Sequence, residues 1–324
     1  MFRGNSAKVR ETQRNESSYL FIILYKLSLF KKLAILGSIE NHKYPCTFQF
    51  SMKKEKTIKR HAKTCLRYPG GKFYGTKHII PFTKVSHNNY IEIFAGGASI
   101  FLAKQKAKGI NWINDIDPEL INFYKVIQDR TTKAQLYNLL KNEVAHPHRH
   151  KEVLDIKPEN NIERAFRYFY LNRTSFSGIM HKPRWGYALG SSITPDKWIN
   201  IIEPVAKKLQ GVKITNLDFK ELLKEVADNP DTLIYADPPY FKASKAIYNH
   251  EFSPQDHIDL MNILKNAKAK FILSYENCLE IKEMYSWARI KEVTWKYFMS
   301  EDRRQIGTEL IITNFPLEEQ KALD

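Results

Sequence analysis

Short apolar segments alternate with stretches of helical periodicity from residue 89 onward. A predicted strand over residues 90–94 is followed by a predicted helix over 98–106, and a second strand over 111–114 by a helix over 118–129. Apolar strands that alternate with helices are typical of parallel sheets covered on both faces. The pattern therefore predicts an α/β protein with a doubly wound, mostly parallel sheet.

Three more strands and a terminal hairpin complete the predicted sheet. The strands cover residues 212–215, 232–235 and 271–274, and a segment of helical pattern follows each of them. The last two strands, over residues 290–297 and 309–313, have no helix between them, which predicts an antiparallel hairpin. We therefore expect a parallel sheet with an antiparallel strand at its edge.

The alternation stops over residues 131–206, which are rich in His, Arg, Asn and aromatic side chains. We expect an inserted, mainly helical domain there, so that the core domain consists of residues 61–130 and 207–324. A basic N-terminal extension, residues 1–60, precedes the core and holds 13 Lys or Arg against 4 Asp or Glu. Two interpretations of it stay open: translation starts at Met52, or the extension is a basic arm that binds nucleic acid non-specifically.

The net charge of +16 indicates a polyanionic partner, because Lys and Arg side chains replace the counterions condensed on a phosphate backbone. Residues 61–324 alone keep +7, so the positive charge is not confined to the extension. The hydrophobic fraction of 43% and the aromatic fraction of 13% are those of a globular protein and exclude a disordered chain.

Cysteine usage and the apolar segments favour a cytoplasmic location. Cys46, Cys65 and Cys278 are widely separated, which argues against a disulfide framework or a structural zinc site and fits a reducing compartment. The apolar stretch over residues 19–36 is interrupted by lysines, so no part of it is long enough to span a bilayer. A secretory signal is not indicated either.

The tetrapeptide Asp237-Pro238-Pro239-Tyr240 follows a predicted buried strand, at the end where open α/β sheets bind their ligands. An ionised Asp237 and the carbonyl of Pro238 would each accept one hydrogen of a nucleobase amino group. Two such bonds favour a pyramidal nitrogen and direct its lone pair at an electrophile. Tyr240 would stack on a base extruded from the duplex. The alternative is a Pro-Pro turn that ends the strand, with Asp237 bonded to nearby backbone amides.

Two glycine turns are candidate binding elements for a cofactor. The turn Phe94-Ala95-Gly96-Gly97 joins the first strand to its helix and leaves the backbone open to close approach of a ligand. The turn Tyr68-Pro69-Gly70-Gly71-Lys72 precedes the first strand and offers an aromatic face, together with a cation for a cofactor carboxylate. The alternative for each is an ordinary turn without a ligand.

Two acidic residues follow predicted strands. Asp117 comes just after the second strand, where doubly wound folds place an acid for ribose hydroxyls. It is equally suited to cap a helix that has Pro118 at its first position. Asp218 could accept a hydrogen bond from the adenine amino group of a cofactor, or it could cap a helix together with Glu221.

The motifs at residues 68–72, 94–97 and 237–240 follow one another along the chain in an order that resembles the Dam-type family (alpha group) of DNA adenine-N6 methyltransferases. The resemblance runs from about residue 66 to residue 314, and it implies a Rossmann-like class I methyltransferase core with an inserted target-recognition domain. The residues that match cofactor-binding positions of the family are Tyr68, Gly71, Lys72, Phe94, Ala95, Gly96, Gly97, Asp117, Asp218 and Asp237. Those that match its catalytic loop are Asp237, Pro238, Pro239 and Tyr240. Ala98 stands where the family often has a third glycine.

Two segments of the insertion, residues 172–178 and 181–187, resemble the recognition region of the family. They combine cations for phosphates, amides or hydroxyls for base edges, and aromatic rings for wedging or stacking. The candidate DNA-binding residues are Asn172, Arg173, Ser175, Phe176, Lys182, Arg184 and Tyr187, with Lys242 after the tetrapeptide and Arg303 and Arg304 in the hairpin turn. The alternative is an aromatic-rich helical domain with a solvated basic face.

The resemblance implies transfer of the methyl group of S-adenosyl-L-methionine to adenine N6 in double-stranded DNA by base flipping. No metal is required, because the transfer needs only in-line positioning against an electrophilic sulfonium. Alternatives that stay open are a cytosine-N4 methyltransferase, an RNA adenine methyltransferase and a catalytically silent DNA-binding relative. We further expect a monomer that does not bind membranes. A cognate restriction endonuclease is a candidate partner, and family resemblance alone suggests GATC as the target.

Overall fold

The computed structural model describes residues 62–241, 252–296 and 306–316. Seven strands within these residues form one sheet. They are β1 (Asn89–Glu92), β2 (Asn111–Asn114), β3 (Lys213–Thr215), β4 (Thr232–Ala236), β5 (Lys270–Glu276), β6 (Arg289–Lys296) and β7 (Ile306–Thr313). Their order across the sheet is β3-β2-β1-β4-β5-β7-β6, and the first five are parallel. Strand β7 is antiparallel to both of its neighbours.

The doubly wound, mostly parallel sheet predicted from the sequence is confirmed. Every residue of β2 and β4 is buried, as expected for strands covered on both faces. The terminal hairpin is also confirmed, but its antiparallel strand β7 lies between β5 and β6 and not at the edge. The apolar side chains of β7 explain this, since Ile311 and Ile312 are fully buried. The edge strand β6 instead exposes Lys291 and Glu292, as suits a strand without a further neighbour.

Ten α-helices lie within the described residues. They are α1 (Thr76–Ile79), α2 (Ser99–Ala103), α3 (Pro118–Gln128), α4 (Arg130–Leu140), α5 (Pro147–Asp155), α6 (Asn161–Thr174), α7 (Trp198–Leu209), α8 (Phe219–Val226), α9 (Pro254–Asn266) and α10 (Leu279–Met284). Short 3₁₀-helices cover Ile80–Lys84, Phe176–Gly178 and Pro195–Lys197.

Two helix boundaries differ from the predictions for local reasons. Helix α2 ends at Ala103, three residues earlier than predicted, because Lys104 has an extended conformation. Helix α3 ends at Gln128 because Asp129 is also extended. The carboxylate of Asp129 accepts hydrogen bonds from the backbone N–H groups of Thr131 and Thr132, so it caps α4 directly after α3.

The segment over residues 131–206 is mainly helical, and its helices pack against the rest of the fold. The rings of Phe169 on α6 and Phe123 on α3 are stacked, with centroids 5.4 Å apart. One hydrophobic cluster joins these residues to Trp198 on α7 and to Tyr90 on β1. The helices of this segment therefore extend the hydrophobic core of the sheet.

The sheet separates two hydrophobic clusters. Along β4, Leu233 and Tyr235 belong to the cluster that contains α3 and α6, whereas Ile234 and Ala236 belong to the opposite cluster with α8 and α9. This alternation follows from the period of two in a β-strand. The two layers hold the sheet in place, so the loops at its carboxyl ends have a fixed base.

The remaining sequence predictions concern the N-terminal extension, membrane-spanning helices and the cysteines. The N-terminal extension, with the candidate start at Met52, lies outside the described residues. In the part of the chain that the structure describes, no helix is long and apolar enough to cross a membrane. Cys65 and Cys278 both have free thiols.

Candidate active site

One pocket lies at the carboxyl ends of β1, β2 and β4. All residues predicted to bind a cofactor or to act in catalysis line it. They are Tyr68, Gly71, Lys72, Phe94, Ala95, Gly96, Gly97, Asp117, Asp218, Asp237, Pro238, Pro239 and Tyr240. Because the carboxyl ends of parallel strands meet at one edge of the sheet, motifs far apart in the sequence converge there.

The glycine turn after β1 is closed on one side by an aromatic ring. Gly96 has a φ of +46°, in the left-handed region that favours glycine. A Cβ atom on Gly96 would lie 2.8 Å from Cε1 of Tyr68, so the absence of a side chain lets the tyrosine ring approach the turn. The hydroxyl of Tyr124 donates to the Gly96 carbonyl over 2.7 Å and fixes the turn from the other side.

Ala98, which stands where the Dam-type family often has glycine, also adopts a left-handed conformation with a φ of +52°. It precedes α2 and provides no side chain to cap that helix. The carboxylate of Glu92 takes this role, because it accepts a hydrogen bond from the backbone N–H of Phe101 over 3.0 Å. Burial raises the pKa of Glu92 well above its ordinary value. Sequence analysis did not single out Glu92.

Asp115 is a second acidic residue at the end of β2 that sequence analysis missed. Its Oδ2 accepts from the backbone N–H of Gly96 over 2.8 Å, and its Oδ1 accepts from that of Asp117 over 3.0 Å. Asp117 itself accepts from the first turn of α3, so the predicted capping role is observed. Both carboxylates line the pocket. Position was the available signal, since Asp115 directly follows β2 and the same reasoning had selected Asp117, two residues later.

Asp237 forms an ion pair with Lys72 across the pocket, with 2.6 Å between its Oδ1 and the ammonium nitrogen. The hydroxyl of Ser274 on β5 donates to the same carboxylate oxygen over 2.9 Å. Burial raises the pKa of Asp237, and Lys72 and Ser274 act against this rise. These contacts hold the carboxylate in one orientation at the end of β4.

A second carboxylate, Glu309 on β7, completes this polar network. It accepts a hydrogen bond from the hydroxyl of Tyr240, and its Oε2 lies 3.7 Å from the Lys72 nitrogen. Burial raises the pKa of Glu309 to about 7. The ammonium of Lys72 also lies 4.9 Å from the centroid of the Tyr240 ring. Lys72, predicted to meet a cofactor carboxylate, thus faces two carboxylates of the protein. Sequence analysis missed Glu309 because its strand is distant in the sequence.

Three phenylalanines make part of the pocket wall aromatic. Phe94 lies 5.6 Å from both Phe219 and Phe252, measured between ring centroids. Asp218 directly precedes Phe219, and its carboxylate caps α8 by accepting from the backbone N–H of Lys220 over 2.8 Å. An apolar cleft with a few convergent polar groups is typical of a small-molecule site, and these rings suit a planar ligand.

The predicted recognition residues divide into buried and exposed groups. Asn172 and Ser175 are fully buried. The Asn172 side chain accepts from the backbone N–H of Arg67 and donates to its carbonyl, each over 2.8 Å, so it joins α6 to the turn before β1. Arg173 is also buried, and burial lowers its pKa to about 10. These three positions therefore contribute to the base of the recognition region.

Phe176, Lys182 and Arg184 are exposed, and Tyr187 is partly exposed. Phe176 exposes 59% of its surface. Its backbone is fixed, since the Phe176 N–H donates to the Arg184 carbonyl over 2.8 Å. The other predicted DNA-binding residues, Lys242, Arg303 and Arg304, lie outside the described residues.

The sheet order, the glycine turn after β1 and the acids after β2 and β3 define a Rossmann-like fold with a pocket at the carboxyl ends of its strands. The sequence model of the D12 class N6 adenine-specific DNA methyltransferases matches residues 68–299, and the chain belongs to this family. The expectation of an adenine-specific DNA methyltransferase is thereby confirmed. Family membership implies use of S-adenosyl-L-methionine in general terms.

Individual relatives agree with this assignment. The type II methyltransferase M1.LlaDCHI of Lactococcus lactis subsp. cremoris is 30% identical over 278 residues, which cover 77% of this chain and 94% of the relative. The type II methyltransferase M.CviBI of Paramecium bursaria Chlorella virus NC1A is 25% identical over 255 residues, which cover 78% of this chain and 97% of the relative. A DNA adenine methylase of Vibrio cholerae serotype O1 is 25% identical over 259 residues, which cover 75% of this chain and 89% of the relative.

Proposed function

We propose that this protein methylates the N6 atom of a flipped-out adenine at a specific site in double-stranded DNA. The observation that carries the proposal is the position of Asp237, held by Lys72 and Ser274 where β4 opens into the pocket. A carboxylate in that place can accept a hydrogen bond from the amino group of a base that enters the pocket.

The pocket fits S-adenosyl-L-methionine as the methyl donor. Gly96 and Gly97 line the pocket at the turn after β1, and Asp115 and Asp117 beside them would accept hydrogen bonds from ribose hydroxyls. The aromatic end of the pocket would hold the adenine ring, with Asp218 as the acceptor for its amino group. When bound, this cofactor supplies a methyl group on a positively charged sulfonium.

The residues of the tetrapeptide prepare the amine for transfer. Asp237 and the Pro238 carbonyl accept the two amino hydrogens, and this draws the nitrogen lone pair out of conjugation with the ring. Lys72 favours the ionised form of Asp237, which is the form that only accepts hydrogen bonds. The proton of the methylated amine is acidic enough to pass to water, so Asp237 orients the amine and need not act as a base.

Tyr240 is placed to stack on the target adenine. A base inside a duplex cannot reach this pocket, so it must be extruded before transfer. The hydrogen bond from the Tyr240 hydroxyl to Glu309 holds the end of the side chain, and the Lys72 ammonium lies over one face of the ring, so the base would stack on the other face. The rigid ring lowers the entropy cost of holding the base.

We assign target recognition to the inserted segment over residues 131–206. Its exposed cations Lys182 and Arg184 would contact phosphates, and Phe176 would stack on or wedge between bases. Lys242, Arg303 and Arg304 lie outside the described residues, and they remain predicted DNA-binding residues. We also propose a cytoplasmic monomer, and a cognate restriction endonuclease stays a prediction.

Identification of the methylated nucleoside tests this function. The purified protein and S-adenosyl-L-methionine would be incubated with duplex DNA, single-stranded DNA or RNA in three separate reactions. Each nucleic acid would then be digested, and its nucleosides would be analysed by mass spectrometry. We expect N6-methyldeoxyadenosine from duplex DNA. A product that is mainly N4-methyldeoxycytidine, or methylation confined to RNA, would contradict the proposal.

A further inference from the structure

Tyr168 on α6 is a buried tyrosine in the wall of the cofactor pocket. The residue is 3% exposed and lines the pocket together with Asp115 and Asp117. Within the described residues its hydroxyl has no hydrogen-bond partner. Buried polar groups in folded proteins nearly always have a partner, so this hydroxyl is expected to bind a group from outside the protein.

Neighbouring tyrosines show that the packing is able to satisfy such groups. The hydroxyl of Tyr124 on α3 donates to the Gly96 carbonyl, and that of Tyr170, two residues further along α6, donates to the Val144 carbonyl, each over 2.7 Å. Tyr168 is thus distinct among the tyrosines packed around α3 and α6. Of these three tyrosines, only Tyr168 lines the pocket, and only its hydroxyl has no partner within the described residues.

We propose that the Tyr168 hydroxyl donates a hydrogen bond to a ribose hydroxyl of S-adenosyl-L-methionine. This inference rests on the cofactor use proposed above and adds a residue to that site. It concerns binding and orientation of the cofactor, so Tyr168 is a binding residue and takes no part in bond making.

The chemistry of the site explains why a donor is needed there. The carboxylates of Asp115 and Asp117 only accept hydrogen bonds, so they bind the hydrogens of the ribose hydroxyls and leave the hydroxyl oxygens without a donor. Tyr168 supplies that donor. Burial, together with the two carboxylates, raises the pKa of Tyr168 well above its ordinary value, so the phenol keeps its proton.

This contact would give α6 two roles. Tyr168 lies in the middle of the helix, and Asn172 and Arg173 lie at its carboxyl end, where the recognition region begins. Gly178 and Met180, which follow α6, line the same pocket. The inserted segment therefore closes the cofactor site as well as carrying the recognition region.

The first test is the affinity for S-adenosylhomocysteine, measured by calorimetry on the full chain. Tyr168→Phe removes only the hydroxyl, and we expect binding about five- to tenfold weaker than in the wild type, as for the loss of one hydrogen bond. Tyr170→Phe is the matched control on the same helix, and it should bind as the wild type does. Equal affinities of Tyr168→Phe and wild type, or an equal loss in Tyr170→Phe, would overturn the inference.

Ligand analogues test the ribose assignment. The affinities of 2′-deoxy and 3′-deoxy S-adenosylhomocysteine should be measured for the wild type and for Tyr168→Phe. We expect one of these two analogues to bind both proteins equally, because it lacks the hydroxyl that is the partner of Tyr168. Methylthioadenosine, which has the ribose but no amino-acid group, should keep the difference between the two proteins. Loss of the difference with methylthioadenosine would place the contact at the amino-acid group and overturn the assignment.

Thermal unfolding without ligand separates a binding role from a structural one. Since the Tyr168 hydroxyl has no protein partner to lose, Tyr168→Phe should unfold at the wild-type temperature or above it. A lower unfolding temperature with unchanged affinity would show a structural role and contradict the inference. A folded wild type that does not bind S-adenosylhomocysteine would instead refute the proposed cofactor use.

Discussion

Substitution of Lys72 by methionine is expected to move the acidic limb of the pH–activity profile. The variant keeps most of the side-chain volume but removes the cation that lies 2.6 Å from Asp237. Transfer requires ionised Asp237, so activity falls as the pH drops through the pKa of this group. Without Lys72 the pKa rises, and the loss of activity therefore begins at a higher pH.

The size of the effect follows from the ion pair. Two unit charges 2.6 Å apart attract by about 6 kcal/mol at an effective dielectric constant of about 20. Removal of one partner from a buried pair costs about 3–5 kcal/mol. The lower figure applies because the Asp237 side chain keeps 18% of its surface exposed. Loss of this attraction disfavours the ionised form of Asp237, so the pKa of the carboxyl rises and the acidic limb moves to higher pH.

The assay is single-turnover methylation of duplex DNA across the pH range, at saturating cofactor. Saturation matters because Lys72 was also predicted to contact the cofactor carboxylate, and the cofactor affinity of each protein should be measured separately. Lys213→Met is the control, since this partly exposed lysine lies on β3 beside Trp112 and away from the pocket. We expect Lys72→Met to approach wild-type rates at high pH only. An acidic limb at the same pH in both proteins would refute the reasoning.

Three further predictions concern stability and DNA binding. Burial raises the folded-state pKa of Glu309 from 4.5 to about 7, so protonated Glu309 stabilises the fold at low pH, and about 3 kcal/mol of this stability is lost as the pH rises from 4.5 through 7. In urea unfolding, Glu309→Gln should lack this fall of the unfolding free energy with pH. An equal fall in the variant and the wild type would contradict the prediction. Ala98→Gly relieves the left-handed conformation and should stabilise by up to about 1 kcal/mol in the same assay, whereas a loss above about 1 kcal/mol would argue against strain. Phe176→Ala should weaken duplex binding about tenfold in fluorescence anisotropy without affecting cofactor affinity, and unchanged DNA affinity would exclude a stacking role.

Features carried by local pattern were predictable from the sequence. The strands before Phe94 and Asp237 have clear apolar runs, and turns follow them directly, so both the sheet and the motifs at its carboxyl ends could be placed. The position of β7 was not predictable in this way. Its pairing with β5 depends on which strand buries the more apolar surface, and that is decided by long-range packing.

Contacts between distant segments account for most of what was missed at the site. Glu309 contacts the pocket residues Tyr240 and Lys72 from a late strand, and Tyr168 lines the pocket from the inserted helix. Neither residue belongs to a motif. Asn172 was predicted to face DNA because its amide suits base edges, yet the fold uses the amide to join α6 to Arg67. A polar side chain in the sequence does not reveal whether it faces solvent or satisfies the backbone.

The role of Asp237 as the acceptor that orients the target amine is tested most directly by Asp237→Ala. Single-turnover formation of N6-methyldeoxyadenosine should be measured beside cofactor affinity, with the exposed Asp231→Ala, which precedes β4, as control. We expect a loss of transfer of at least about a thousandfold in Asp237→Ala, with cofactor affinity within about threefold of the wild type. Transfer at the wild-type rate in Asp237→Ala would contradict the account.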